Sequence, residues 1–199
     1  MLLSQDEARF PMVPTLAASL GVKGHRPVVP TRDNKDLLYV FAVVNLVSAA
    51  LHTNTLESPK DAKKETGKSK ARRMQEAFAD HLRHVGKAYP QGEHKEVVLL
   101  IDNAPWHRGG PIDEALAEGP HLKLKRLPAY SPHLNPIERF WKVLRRRATH
   151  NRLFDAVADL KRSIRASLSY FQTVRDRVKT LLLSRRKQKK AKQTASASV

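Results

Sequence analysis

Three acidic positions carry the chemistry that this sequence suggests: Asp6, Asp102 and Glu138. Asp102 ends the apolar run Val97-Val98-Leu99-Leu100-Ile101, and Glu138 opens a stretch rich in arginine and lysine. Asp6 lies near the amino terminus with Glu7 beside it. Three carboxylates suffice to hold two Mg²⁺ ions while leaving positions for waters and a phosphate. Mg²⁺ prefers carboxylate and water oxygens to imidazole or thiolate, and the chain has no cysteine. Two such ions roughly 4 Å apart activate an attacking water or 3′-hydroxyl and stabilise the leaving oxygen of an in-line displacement. No glycine-rich phosphate loop, HExxH pair or nucleophile elbow competes with this chemistry.

Each acid also has a structural reading. Asp102 precedes Asn103-Ala104-Pro105, where an aspartate often bonds its own backbone to form a turn. Asn103 and His107 either orient a site or cap the next turn. Asn135-Pro136-Ile137-Glu138 matches a capping box, in which the glutamate reaches back to a free backbone N–H. A Glu138–Lys142 pair would add about 0.2–0.5 kcal/mol to an isolated helix. The rest of that helix favours chemistry. Ile137, Phe140, Trp141 and Leu144 form a packing stripe. Glu138, Lys142 and Arg145 share another face, with Arg139 and Arg146 at its margins. A carboxylate beside a row of cations suits a metal site next to a bound phosphate chain, so these four cations are candidate DNA contacts. Strand alternation lets only one of Asp6 and Glu7 face a given side, and so short a stub does not choose between them.

The elements that must position these residues follow from periodicity. Met1 to Gln5 reads as a strand stub ending in Asp6-Glu7, and Gly21, Gly24, Pro27 and Pro30 mark a loop. Leu37 to Leu46 reads as a buried strand, paired in a hairpin with a strand around Ala49 to Leu56. Pro59 to Arg73 carries seven Lys/Arg and reads as a mobile basic loop or frayed helix start. Ala77, Phe78, Leu82 and Val85 predict a helix over Met74 to Val85. Val97 to Ile101 lacks alternation, as in a central strand buried on both faces. Leu122 to Leu127 alternates like an edge strand. Helices are expected from Pro136 to about Thr149, over Asp155 to Tyr170, and from about Thr173. The class is α/β with a mixed sheet.

At 199 residues the chain suits one domain, expected over residues 1–183, with a basic, disordered tail over 184–199. A formal charge of +18 favours a polyanionic partner, nucleic acid above all. The apolar stretch Leu37 to Leu51 is interrupted by Asn45 and Ser48 and falls short of the roughly 20 residues a membrane span needs. No basic region precedes Met1-Leu2-Leu3 as in a signal peptide. A cytoplasmic, nucleoid-associated protein without membrane contact is the expectation.

Four segments resemble the DDE transposases of bacterial insertion sequences in the mariner superfamily. Asp6-Glu7-Ala8-Arg9-Phe10 resembles the end of the first-aspartate strand, and Gly24-His25-Arg26-Pro27 the loop after it. Ile101-Asp102-Asn103-Ala104-Pro105-Trp106-His107 resembles the second-aspartate segment. Leu127-Pro128-Ala129-Tyr130-Ser131-Pro132-His133-Leu134-Asn135-Pro136-Ile137-Glu138 resembles the third-acid segment. The resemblance implies a ribonuclease-H-like core with Asp6, Asp102 and Glu138 as metal-binding triad and Glu7 as a neighbour rather than a ligand. It implies two Mg²⁺ ions, with Mn²⁺ as substitute, and cleavage and joining of double-stranded DNA at transposon ends and target. Members of the family carry helix-turn-helix units ahead of the first catalytic strand. This chain starts almost on that strand, so a separately encoded helix-turn-helix half is an expected partner, alongside a homodimer. Leu20-Gly21-Val22 departs from relatives that carry a tryptophan there. The competing expectations are an inactive DNA-binding remnant and a stand-alone ribonuclease-H-like nuclease.

Overall fold

The computed structural model describes residues 1–183 except 26, 130, 132 and 133. The expected basic tail over 184–199 and parts of two of the resembling segments therefore lie outside the described residues. Five strands form one mixed sheet in the order β3-β2-β1-β4-β5. β1 (Leu2–Pro11) and β2 (Leu37–Asn45) are antiparallel, with Leu3 opposite Asn45 and Pro11 opposite Leu37. β3 (Leu51–Ser58) returns antiparallel to β2, so the expected hairpin forms two residues later than the sequence suggests. Asn45 closes its turn by accepting from the backbone N–H groups of Val47 and Ser48.

β4 (Val97–Ile101) runs parallel to β1 on one side and to β5 (Leu122–Arg126) on the other. The edge position expected of β5 is observed. Burial of β4 on both faces is not. Val97, Leu99 and Ile101 are buried, whereas Val98 and Leu100 are half-buried, because the helices on that face sit over β1 and β2.

The strand alternation sorts the core into two layers. Ala8, Phe10, Leu38, Val40 and Ala42 face α4 (Ile137–Ala148), α5 (Val157–Thr173) and a further helical stretch over residues 175–183. Leu3, Phe41, Val43 and the buried face of β4 meet α2 (Lys70–Ala88) and α3 (Gly110–Glu118). A short α1 (Ala62–Thr66) precedes α2, which begins at Lys70, so of the two expectations for the basic stretch the helix start is the one observed. Helix α3 has no counterpart in the sequence reading, and it opens on Gly110-Pro111. Proline fits the first turn of a helix, where its missing N–H costs nothing, and Ile112 and Ala115 anchor α3 in the core. Residues 16–36 contain no strand or helix among those described, as their glycines and prolines suggest. Among the described residues no helix is long and apolar enough to cross a membrane.

Candidate active site

Asp6 does not end its strand: β1 continues to Pro11. The site opens instead because β4 stops first. The last paired positions of the two parallel strands are Ser4 and Leu100, and Asp6 and Asp102 each lie two residues beyond. At that point β1 has β2 on one side and an opening on the other. Asp6 is buried and accepts a hydrogen bond from the Trp141 indole N–H at 2.9 Å. Burial, with the negative charges of Glu7 and Glu138 adding to it, pushes its carboxyl up to about 8. Loss of hydration and like charges both disfavour the ionised form.

Alternation settles the pair that the sequence leaves open. Asp6 shares the α4 face with Ala8 and Phe10, while Glu7 points to the α2 face. There Glu7 meets His107, whose Nε2 lies 2.8 Å from Oε1, and Gln5 donates to the same oxygen at 3.0 Å. The other ring nitrogen of His107, Nδ1, lies 3.1 Å from Asp102 Oδ1. His107 is 1% exposed and its ring lies 4.3 Å from that of Phe78. Burial alone would lower the imidazole, but Asp102 and Glu7 outweigh it and raise it to about 9. The result is an imidazolium joining two carboxylates. Its bond to Asp102, chiefly, holds that half-exposed carboxyl below its ordinary value. The bridge between Glu7 and Asp102 is absent from the sequence reading. Its signal was the histidine five residues after the aspartate, which the reading noted without a partner.

The turn-forming reading of Asp102 is observed, since its Oδ1 also accepts from the Ala104 backbone N–H at 2.9 Å. Asn103 braces the same loop by donating to the Leu127 carbonyl at 2.8 Å.

The capping box at Glu138 does not form. Pro136 is the capping residue of α4, with no side-chain cap bond, and Asn135 turns to β1 instead. Its carboxamide accepts from the Ser4 hydroxyl and donates to the Gln5 carbonyl. This lashes the start of α4 to β1 and sets Glu138, half-buried, over the same opening. Among the described residues Asp6, Asp102, Asn103, Leu127, Asn135 and Glu138 line one cavity of about 400 Å³. All three predicted acids therefore share it. Among the described residues no three His, Cys, Asp or Glu side chains stand grouped tightly enough to hold a metal ion. Each aspartate is bonded within the protein: Asp6 to Trp141, and Asp102 to His107 and Ala104. A larger cavity of about 670 Å³ between α4, α5 and the 175–183 helix is mainly apolar and contains none of these acids.

The four candidate cations of α4 diverge. Arg139 donates to the carbonyls of Leu181 and Leu182, and so holds the last helix in place. The Arg145 guanidinium lies 5.4 Å from the centre of the Phe10 ring. Lys142 and Arg146 remain exposed.

A model of the DDE superfamily endonuclease family matches residues 1–161. The insertion element IS630 uncharacterized 39 kDa protein of Shigella sonnei is 24% identical over 161 residues, which cover 81% of this chain and 42% of that protein. The uncharacterized protein y4pE/y4sA of Sinorhizobium fredii (strain NBRC 101917 / NGR234) is 34% identical over 85 residues, 43% of this chain and 58% of that one. Among solved structures, the Mos1 mariner paired end complex with Mn has a chain that matches with a TM-score of 0.59 at 18% identity, over 91% of this chain and 53% of its own. The chain thus spans about half the length of these relatives. At that identity the structural likeness shows the fold, and the fold is the expected ribonuclease-H-like mixed sheet.

Proposed function

The chain belongs to the DDE superfamily endonucleases, and from that premise we propose that it is the catalytic domain of a transposase, cutting and joining double-stranded DNA with divalent metal ions. One observation carries the reading: acids from β1, from the end of β4 and from the first turn of α4 line a single cavity. The donor set fits Mg²⁺, or Mn²⁺ in its place, because it is carboxylate oxygen. Asp6 is buried and shares the cavity with Asp102 and Glu138, where a cation would offset the cost of ionising it. When bound, such ions supply Lewis-acid activation of a water or 3′-hydroxyl and offset charge on the leaving oxygen.

The remaining work falls to the chain. Asp6, Asp102 and Glu138 are the proposed ligands. Trp141 fixes one Asp6 oxygen, and the Glu7–His107 bridge fixes Asp102 from below. Lys142 and Arg146 hold the phosphate backbone, with Arg145 and Arg139 nearer the helix packing. The Mos1 mariner paired end complex with Mn, whose fold this chain shares, supports transposon ends as a DNA partner, and joining adds a target duplex.

The test is a cleavage and joining assay on end-bearing oligonucleotides in Mg²⁺ or Mn²⁺, with and without a separately expressed helix-turn-helix partner. Asp102→Asn should lower the rate at least about a thousandfold, several kcal/mol of barrier, while duplex binding stays within a few fold. Undiminished cleavage by Asp102→Asn would overturn the assignment. Binding without cleavage across ends, hybrids and junctions would leave a non-catalytic DNA binder.

A further inference from the structure

The stretch between β3 and the body of α2 holds seven Lys/Arg against two acids over residues 60–73. We propose that this surface is a second DNA-binding tract, which seats the target duplex on the opposite face of the sheet from α4. The proposal rests on the strand-transfer reading above.

The charge sits on a built scaffold. α1 ends at Gly67, whose φ of 65° closes the helix, and the Ser69 hydroxyl caps α2 by accepting from the Arg72 N–H. Most of the surface is exposed. Internal pairing leaves much of it uncompensated. Lys68 and Arg72 share the single carboxylate of Glu76 at 2.8 and 2.9 Å, and Lys64 approaches Asp61 only to 4.0 Å. Among the described residues Lys60, Lys63 and Lys70 have no carboxylate partner. Only some of the cations serve their own helices: Arg72 pairs with Glu76 within α2, and Lys63 and Lys64 sit in the last turn of α1. Lys70, Arg72 and Arg73 occupy the first turn of α2 with no acid there, where positive charge opposes the backbone dipoles.

Topology puts the tract at the cavity's end of the sheet. β1 and β4 run parallel, and Asp102 follows the carboxyl end of β4. Leu37 stands opposite Pro11, and Ser58, the last residue of β3, stands opposite Leu37. The chain therefore leaves β3 for the basic tract at the edge where Asp102 lies. β3 and β4 are three strand spacings apart, about 14 Å. α2 packs on the Leu3 and Phe41 face, and α4 on the Ala8 and Phe10 face. Two cationic surfaces thus lie on opposite faces of the sheet, with the tract leaving it at the end where Asp102 lies, and joining one DNA end to another duplex requires two DNA segments at one set of acids.

The variant Lys63→Ala, Lys64→Ala, Lys70→Ala alters exposed side chains only, and its melting curve checks its fold. Joining of a cleaved end into plasmid target should fall at least tenfold more than end cleavage does. In metal-free binding to a random duplex across a salt series, the log–log slope should shrink by about two to three units, one per lost phosphate contact. Equal loss of cleavage and joining, or an unchanged slope, overturns the tract. The binding arm needs no catalysis: a reduced slope in a chain that never cleaves keeps the tract and sinks only the enzymatic reading. Wild-type binding to phosphatidylserine vesicles that disappears in the variant, with the duplex slope unchanged, would assign the surface to membrane and overturn the proposal.

Discussion

At the scale of single residues, the site is a problem of like charges. Asp6 keeps its proton to about pH 8 in the fold, whereas its ordinary value is 3.8. A raised carboxyl makes folding hold a proton that the unfolded chain releases. Its effect is nil below about pH 4, destabilises progressively up to about pH 8, and then levels off. Asp6→Asn should flatten that part of the stability–pH curve and stabilise the metal-free protein at pH 8 by a few kcal/mol, read from urea melts. Mg²⁺ binding should expel a proton from Asp6 and tighten as pH rises toward 8, which calorimetry in buffers of different ionisation heat measures. His107 has the opposite charge and a complementary sign. Its folded value of about 9 exceeds the ordinary 6.5, so its stabilisation is complete below pH 6.5 and lost as pH rises through 9. His107→Ala leaves Glu7 buried without its partner and should cost about 3 kcal/mol at pH 6, with the deficit narrowing above pH 9. Identical pH curves for variant and wild type would refute the bridge. Neither effect is visible in sequence, because Glu7 and His107 become neighbours only when β1 lies beside β4.

At the scale of elements, α4 is the part that sequence describes well. Its stripe of Ile137, Phe140, Trp141 and Leu144 is buried as the helical period requires. Its first turn is described less well. Asn135 looks like a local cap but bonds β1 across the fold, through Ser4 and Gln5, and local pattern carries no trace of that partner. Asn135→Ala should cost about 1–3 kcal/mol by stranding buried polar groups. It should also slow cleavage beyond the stability loss, because the same bonds seat Glu138. A melt and a rate measured on one preparation separate the two. β1 extends beyond the stub that the sequence suggests for a related reason: Ser4-Gln5-Asp6-Glu7 is polar, and pairing to β2, with β4 reaching as far as Ser4, makes it strand.

At the scale of the whole molecule, the charge of +18 predicts duplex affinity that falls steeply with salt. Lys142→Ala with Arg146→Ala should reduce the log–log slope by about two units, and an unchanged slope would remove α4 from the DNA path. Composition, the apolar strands and the three acids were written in the chain, and they determined its class, the expectation of a polyanionic partner and the chemistry to look for. Local periodicity is enough for these, since charge and hydrophobic spacing need no knowledge of what lies across the fold. Tertiary structure alone decided that β4 ends where Asp6 faces the opening, that Glu7 turns away to His107, and that Arg139 serves packing. Those outcomes depend on register and on contacts between residues about a hundred positions apart in some cases, which no window of sequence contains.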